Sequence, residues 1–128
     1  MAQEPTKRGE IILVDDEDLI LKLGRKVLEQ LGYVVHQTDD TTLALDTLRR
    51  RIDNVSLAIL DVVMPGIEGS DLATLMRRIK PDLKILFSSG YGITDEIQRQ
   101  MRAGNTDFIA KPFTREDIVA KVSKLLSE

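Results

Sequence analysis

Four apolar residues, Ile11-Ile12-Leu13-Val14, run without interruption into two acids, Asp15 and Asp16. The pattern returns at Leu57-Ala58-Ile59-Leu60, which ends in Asp61. A strand that is apolar at every position rather than at alternate ones is buried on both faces, as in a parallel sheet covered by helices. Tyr33-Val34-Val35, Ile85-Leu86-Phe87 and Phe108-Ile109-Ala110 read as three further strands, the last two ending in Ser88-Ser89-Gly90 and Lys111-Pro112.

Helical patterns separate these runs. Leu19, Leu23, Val27 and Leu31, widened by Ile20 and Leu28, recur at helical spacing as far as Gly32, which suits a helix C-terminus. Ala44, Leu45 and Leu48 mark a second, shorter helix; Leu72, Leu75, Met76 and Ile79 mark a third, stopped by Pro81. Ile97 and Met101 lie on a fourth that Thr94 can cap, with Asp95 and Glu96 at its positive end. Thr114 and Asp117 resemble a capping box before a fifth helix carrying Ile118, Val122 and Leu125. Five strands alternating with five helices predict right-handed βαβ units, an α/β fold with a parallel sheet and helices on both faces. A ligand site in such a sheet lies beyond the carboxyl ends of the strands. Those ends carry Asp15, Asp16, Asp61, Ser88, Ser89 and Lys111.

With 128 residues the chain has room for about one domain. Residues 1–9 read as a flexible lead-in and residues 10–128 as the domain, so an output module is expected on another chain. A net charge of −3 gives no electrostatic case for nucleic-acid binding. Cysteine is absent, which excludes disulfides, thiolate metal sites and cysteine nucleophiles. No apolar run approaches a membrane span, and Met1–Gly9 is too polar for a signal peptide. The expected location is the cytoplasm.

Carboxylates converging on one crevice repel each other, and a divalent cation is the natural way to neutralise them. With only hard oxygen ligands on offer, Mg²⁺ is favoured. An Asp beside Mg²⁺ and a lysine can act as a nucleophile toward phosphorus, giving an aspartyl phosphate. Metal, ammonium and hydroxyl together stabilise the transferring phosphoryl group. Single residues elsewhere carry plainer readings. His36 is a strand-end or surface histidine with no acid nearby, and Arg49-Arg50-Arg51 a solvated helix end. Met64 packs, Pro65-Gly66 shapes a loop, and Ser88 is a strand-end hydroxyl.

The strings Ile11–Glu17 (IILVDDE), Leu60–Gly69 (LDVVMPGIEG), Ile85–Gly92 (ILFSSGYG) and Ala110–Phe113 (AKPF) resemble the receiver domain of two-component response regulators. The resemblance spans the chain after Gly9, in the family's order and spacing. It implies a flavodoxin-like (βα)5 three-layer sandwich with strand order 2-1-3-4-5. It further implies that Asp61 is the phosphoacceptor, supplied by a sensor histidine kinase or a histidine phosphotransfer protein. Asp15, Asp16, Asp61 and the Val63 backbone carbonyl would hold Mg²⁺. Ser89 and Lys111 would bond the phosphoryl group, Phe108 would be the switch position, and Lys111-Pro112 a cis peptide. Output would pass to an effector through the helix 4–strand 5–helix 5 face. The domain would signal rather than act as an enzyme, apart from phosphoryl transfer to itself and slow autodephosphorylation. Two departures stand out: Ser rather than the commoner Thr at position 89, and Phe rather than Tyr at position 108, which removes a switch hydroxyl.

The main rival is a haloacid-dehalogenase-like phosphatase, whose D-x-D is imitated by Asp16-Glu17-Asp18 and whose nucleophile would be Asp16. Such an enzyme needs a further acidic pair at a strand end after its lysine. Only Glu116 and Asp117 follow, at an apparent helix start. A flavodoxin-like cofactor carrier fails too, because Asp15-Asp16-Glu17 would repel a phosphate where a glycine loop is needed.

Overall fold

The computed structural model describes residues 8–126; the greater part of the expected lead-in lies outside them. Five strands, β1 (Glu10–Val14), β2 (Val34–Thr38), β3 (Val55–Asp61), β4 (Lys84–Ser89) and β5 (Thr106–Ala110), form one parallel sheet in the order 2-1-3-4-5. Five helices alternate with them: α1 (Asp18–Gln30), α2 (Thr41–Arg50), α3 (Gly69–Ile79), α4 (Asp95–Ala103) and α5 (Arg115–Leu126). The expected flavodoxin-like α/β sandwich is the fold observed. Among the described residues no helix is long and apolar enough to cross a membrane.

The apolar runs are buried on both faces because two cores sandwich them. On one side Ile12, Val14, Ala58, Leu60, Ile85 and Phe87 meet Ala44 and Leu48 of α2, Leu72 and Met76 of α3, and Ile97 of α4. On the other, Ile11, Leu13, Leu57 and Leu86 meet Leu21, Val27 and Leu28 of α1 and Ile118, Val122 and Leu125 of α5. The expected caps form. Thr94 Oγ1 accepts the Ile97 N–H, and Thr114 and Asp117 exchange hydrogen bonds of 2.9 and 3.1 Å. At the end of α1 the N–H groups of Gly32 (φ +100°) and Tyr33 close on Glu29 O and Leu28 O, a Schellman arrangement needing the left-handed backbone that glycine tolerates.

Three expectations need correction. The buried face of α1 is Leu21, Gly24, Val27 and Leu28, whereas Leu19 is 79% exposed. Gly24 sets this rotation: a Cβ there would stand 2.8 Å from Leu13 Cδ2, so the helix seats its glycine, not Leu19, on the sheet. His36 does have an acid beside it, with Nε2 2.7 Å from Glu10 Oε1. Arg51 is not merely solvated, for its Nε donates to the same carboxylate at 3.1 Å. Glu10 is buried, and its two partners hold the carboxyl down at about 2: the Arg51 hydrogen bond dominates, burial opposes it, and His36 adds to it.

Candidate functional site

Main-chain hydrogen bonds continue past the strand ends and fix the groups that follow. Asp15 N–H donates to Thr38 O, Val62 N–H to Ser88 O, and Lys111 N–H to Ser89 O. Asp15 and Asp61 are thereby buried side by side, with Asp16 and Glu17 exposed at the rim. Oxygen atoms of these four acids lie within 4.8 Å of one another. Lys111 reaches into the group. Its Nζ stands 2.9 Å from Asp15 Oδ2, 2.9 Å from Glu17 Oε1 and 3.4 Å from Asp61 Oδ2. The Lys111–Pro112 peptide is cis.

The electrostatics follow from this crowding. Burial first, and the neighbouring Asp15 charge second, push the Asp61 carboxyl up from 3.8 to about 6, against the pull of Lys111 and the Val63 N–H. Burial alone would depress the Lys111 ammonium. Its hydrogen bonds to Asp15 and Glu17, with the Asp15 and Asp61 charges, outweigh that and hold it above its usual value. One ammonium thus faces a concentration of negative charge that it does not neutralise. The donors are all hard oxygens and close together, so the residues present fit a Mg²⁺ ion.

Asp16, Glu17, Asp61 and Lys111 border a cleft of about 610 Å³, walled by Val63 on one side and Gly90-Tyr91 on another, with Asp15 buried behind them. Ser89 is buried and lines an adjacent cavity of about 200 Å³, which shares Val63 and Tyr91 with the cleft; its Oγ accepts the Tyr91 N–H at 2.9 Å. Phe108 lies inside the core with Phe87 and Ile97, away from the cleft. Asp15, Asp16, Asp61 and Lys111 are therefore brought together, the Val63 main chain touches Asp61 through an N–H to Oδ1 contact of 3.2 Å, and Ser89 and Phe108 stand apart. Ser88 pairs in register with Asp61, and its hydroxyl is buried without a hydrogen-bond partner among the described residues.

Two features were missed in the sequence. Val63–Met64 and Ile67–Glu68 form a small antiparallel hairpin beside Asp61, turned by Gly66 at φ +87°. Met64 packs into the core beneath it. Gly69 then begins α3 with its N–H on Val62 O, pressed against the main chain of Asp61 and Val62. The M-P-G string signals the turn, but two-residue strands leave no periodicity to read.

A parallel sheet with buried acids at the ends of β1 and β3 and a lysine after β5 is the arrangement of receiver domains. The sequence profile of the response regulator receiver domain matches residues 11–123, and the chain belongs to that family, the receiver domains of two-component signalling. It is similar to the receiver protein CpdR of Brucella abortus, 31% identical over 116 residues that cover 91% of this chain and 95% of that protein. It is 32% identical over 119 residues to the sensor kinase CckA of the same organism, covering 92% of this chain but 12% of the kinase. Of the transcription factor SKN7 of Candida albicans and the regulatory protein NisR of Lactococcus lactis, the chain spans 22% and 48%. The crystal structure of the receiver domain from the hybrid histidine kinase CckA superposes with a TM-score of 0.78 at 28% identity, covering 92% of this chain and 99% of that one. Nothing in these comparisons supports the phosphatase reading, and Asp16, its required nucleophile, is an exposed rim residue.

Proposed function

We propose that this receiver takes a phosphoryl group onto Asp61 from a phosphohistidine of a sensor histidine kinase or histidine phosphotransfer protein. The observation that carries this reading is the buried Asp61 carboxylate with the Lys111 ammonium 3.4 Å away. An Asp61 oxygen attacks phosphorus, the P–N bond to the donor imidazole breaks, and the nitrogen keeps the bonding electron pair. Lys111 sits where it can pair with the phosphoryl oxygens, and Ser89 offers a hydroxyl across the shared Val63–Tyr91 wall. Asp15, Asp16, Asp61 and the Val63 carbonyl would hold Mg²⁺, which when bound offsets charge on the entering phosphoryl group.

Output then passes to an effector protein through the surface of α4, β5 and α5. Phe108 is already inward in this structure, so its burial is an incomplete switch by itself, and the coupling falls to Ser89 and the Gly90–Thr94 segment. The domain signals in the cytoplasm, without direct nucleic-acid contact, and its own chemistry is limited to gaining and slowly losing the phosphoryl group. The test is incubation with acetyl phosphate and Mg²⁺ followed by mass spectrometry. One added phosphoryl group is expected in wild type and none in Asp61→Asn; an undiminished gain in that variant overturns the reading.

A further inference from the structure

Glu17 occupies the N-cap position of α1, where a short polar side chain ordinarily closes on the first free N–H groups of the helix. Its side chain makes no capping bond. Instead it crosses to Lys111, a residue 94 positions away in sequence, with Oε1 2.9 Å from Nζ. The main chain is anchored for this reach, because Glu17 N–H donates to Asp15 Oδ1 at 2.9 Å.

An ammonium carries three N–H donors. Lys111 faces three acids, and its distances are unequal: 2.9 Å to Asp15, 2.9 Å to Glu17 and 3.4 Å to Asp61. The two acids of the β1–α1 loop draw it off the carboxylate that the proposed function makes the acceptor. A phosphoryl oxygen on Asp61 needs one of the three donors, so one contact must give way. Asp15 is 1% exposed and closed to solvent, whereas the Glu17 side chain is 59% exposed and can turn into it.

We infer that Glu17 is a positioning residue that acts through Lys111, latching the ammonium toward Asp15 and withholding it from Asp61 until a phosphoryl group competes for it. The inference rests on the reading of Asp61 as phosphoacceptor. It gives the exposed third acid of the D-D-E string a role separate from metal binding: Glu17 sets the threshold for phosphorylation.

The experiment compares wild type, Glu17→Gln, Lys111→Ala and the double variant, at saturating Mg²⁺ so that altered metal affinity does not enter. Phosphorylation by acetyl phosphate should be about two- to fivefold faster in Glu17→Gln, the ratio that an exposed ion pair carries. The effect should vanish in the Lys111→Ala background. In the unphosphorylated protein, the ¹⁵Nζ signal of Lys111 should shift on Glu17→Gln, a response that a merely structural role would not produce. A rate equal to or slower than wild type, an acceleration that persists without Lys111, or an unmoved Nζ signal each overturns the latch. Failure of wild type to take up a phosphoryl group on Asp61 overturns the acceptor reading instead, and the Nζ signal still decides whether Glu17 holds the ammonium.

Discussion

Gly69 passes so close to Asp61 that any Cβ added at its α carbon would collide with the Asp61 carbonyl oxygen and stand 2.9 Å from Val62 Cα. Both obstacles are main chain, which cannot rotate aside as a side chain can. The start of α3 is thus a spacer behind the end of β3, and its thickness is that of a glycine. Gly69→Ala is expected to destabilise the protein by about 1–3 kcal/mol, the usual cost of overpacking. It should also displace the Asp61–Val63 backbone. Urea unfolding reads the first effect, and the amide chemical shifts of residues 61–63 read the second. A variant unchanged in both would show that the contact is slack.

Asp61 itself should weaken the fold at neutral pH. Its carboxyl is raised from 3.8 to about 6, so the folded chain binds the proton more tightly than the unfolded one. A group shifted in this direction contributes stability below about pH 4, and the contribution is lost as pH rises through 6. Asp61→Asn, which cannot ionise, is expected to be more stable than wild type at pH 8 in EDTA by about 2 kcal/mol. The advantage should shrink below pH 6 and disappear near pH 4. Urea titrations at the three pH values check it.

Glu10 works with the opposite sign. Held down from 4.5 to about 2 by Arg51 first, against burial, and by His36, it contributes stability that is complete above about pH 4.5 and lost as pH falls toward 2. Glu10→Gln should cost about 1–2 kcal/mol at pH 7, discounted because Arg51 is half in solvent. The difference from wild type should narrow below about pH 4.5 and close near pH 2. Acid unfolding followed by circular dichroism measures it.

Arg77 of α3 donates to Leu83 O, Gln100 Oε1, Asn105 O and Thr106 Oγ1, at 3.2, 3.3, 2.8 and 2.7 Å. One guanidinium thereby ties α3 to the residue before β4, to α4 and to the start of β5. Arg77→Met leaves those acceptors without it and should cost about 2–4 kcal/mol. Arg77→Lys should recover only part of that, because a single ammonium cannot span the same fork. Urea unfolding of the two variants orders them; equal stability of both with wild type would remove Arg77 from the frame of the fold.

What could be read in the chain was what burial imposes locally. Ile11–Val14 and Leu57–Leu60 announce themselves because both faces must be apolar, and Thr94, Thr114 and Gly32 because each answers to its nearest neighbours. The rotation of α1 could not be read in the same way. Leu19, Ile20, Leu21, Leu23, Val27, Leu28 and Leu31 form so wide an apolar arc that its centre is undetermined, and the contact of Gly24 with Leu13 decides it. Glu10 with His36 and Arg51, and Arg77 with its four acceptors, depend on approaches between residues remote in sequence, which no local pattern encodes. At the site, the strand-end position of Asp15, Asp61 and Lys111 was legible. The third acid on Lys111 and the separate cavity of Ser89 were not, because both depend on where a side chain turns.

The cleft is tightly tied on one side and loosely packed on another. Beneath it, Asp15, Val62 and Lys111 are bolted to Thr38, Ser88 and Ser89 by main-chain bonds, over strands buried on both faces. Beside it, Gly90-Tyr91-Gly92 holds its shape with little packing: Tyr91 is 86% exposed and Gly92 sits at φ +89°. A body wedged between a rigid bed and a springy cheek moves the cheek. For anything lodged on Asp61 the cheaper displacement is therefore that of Gly90–Gly92, the segment that leads through exposed Ile93 to Thr94, the cap of α4.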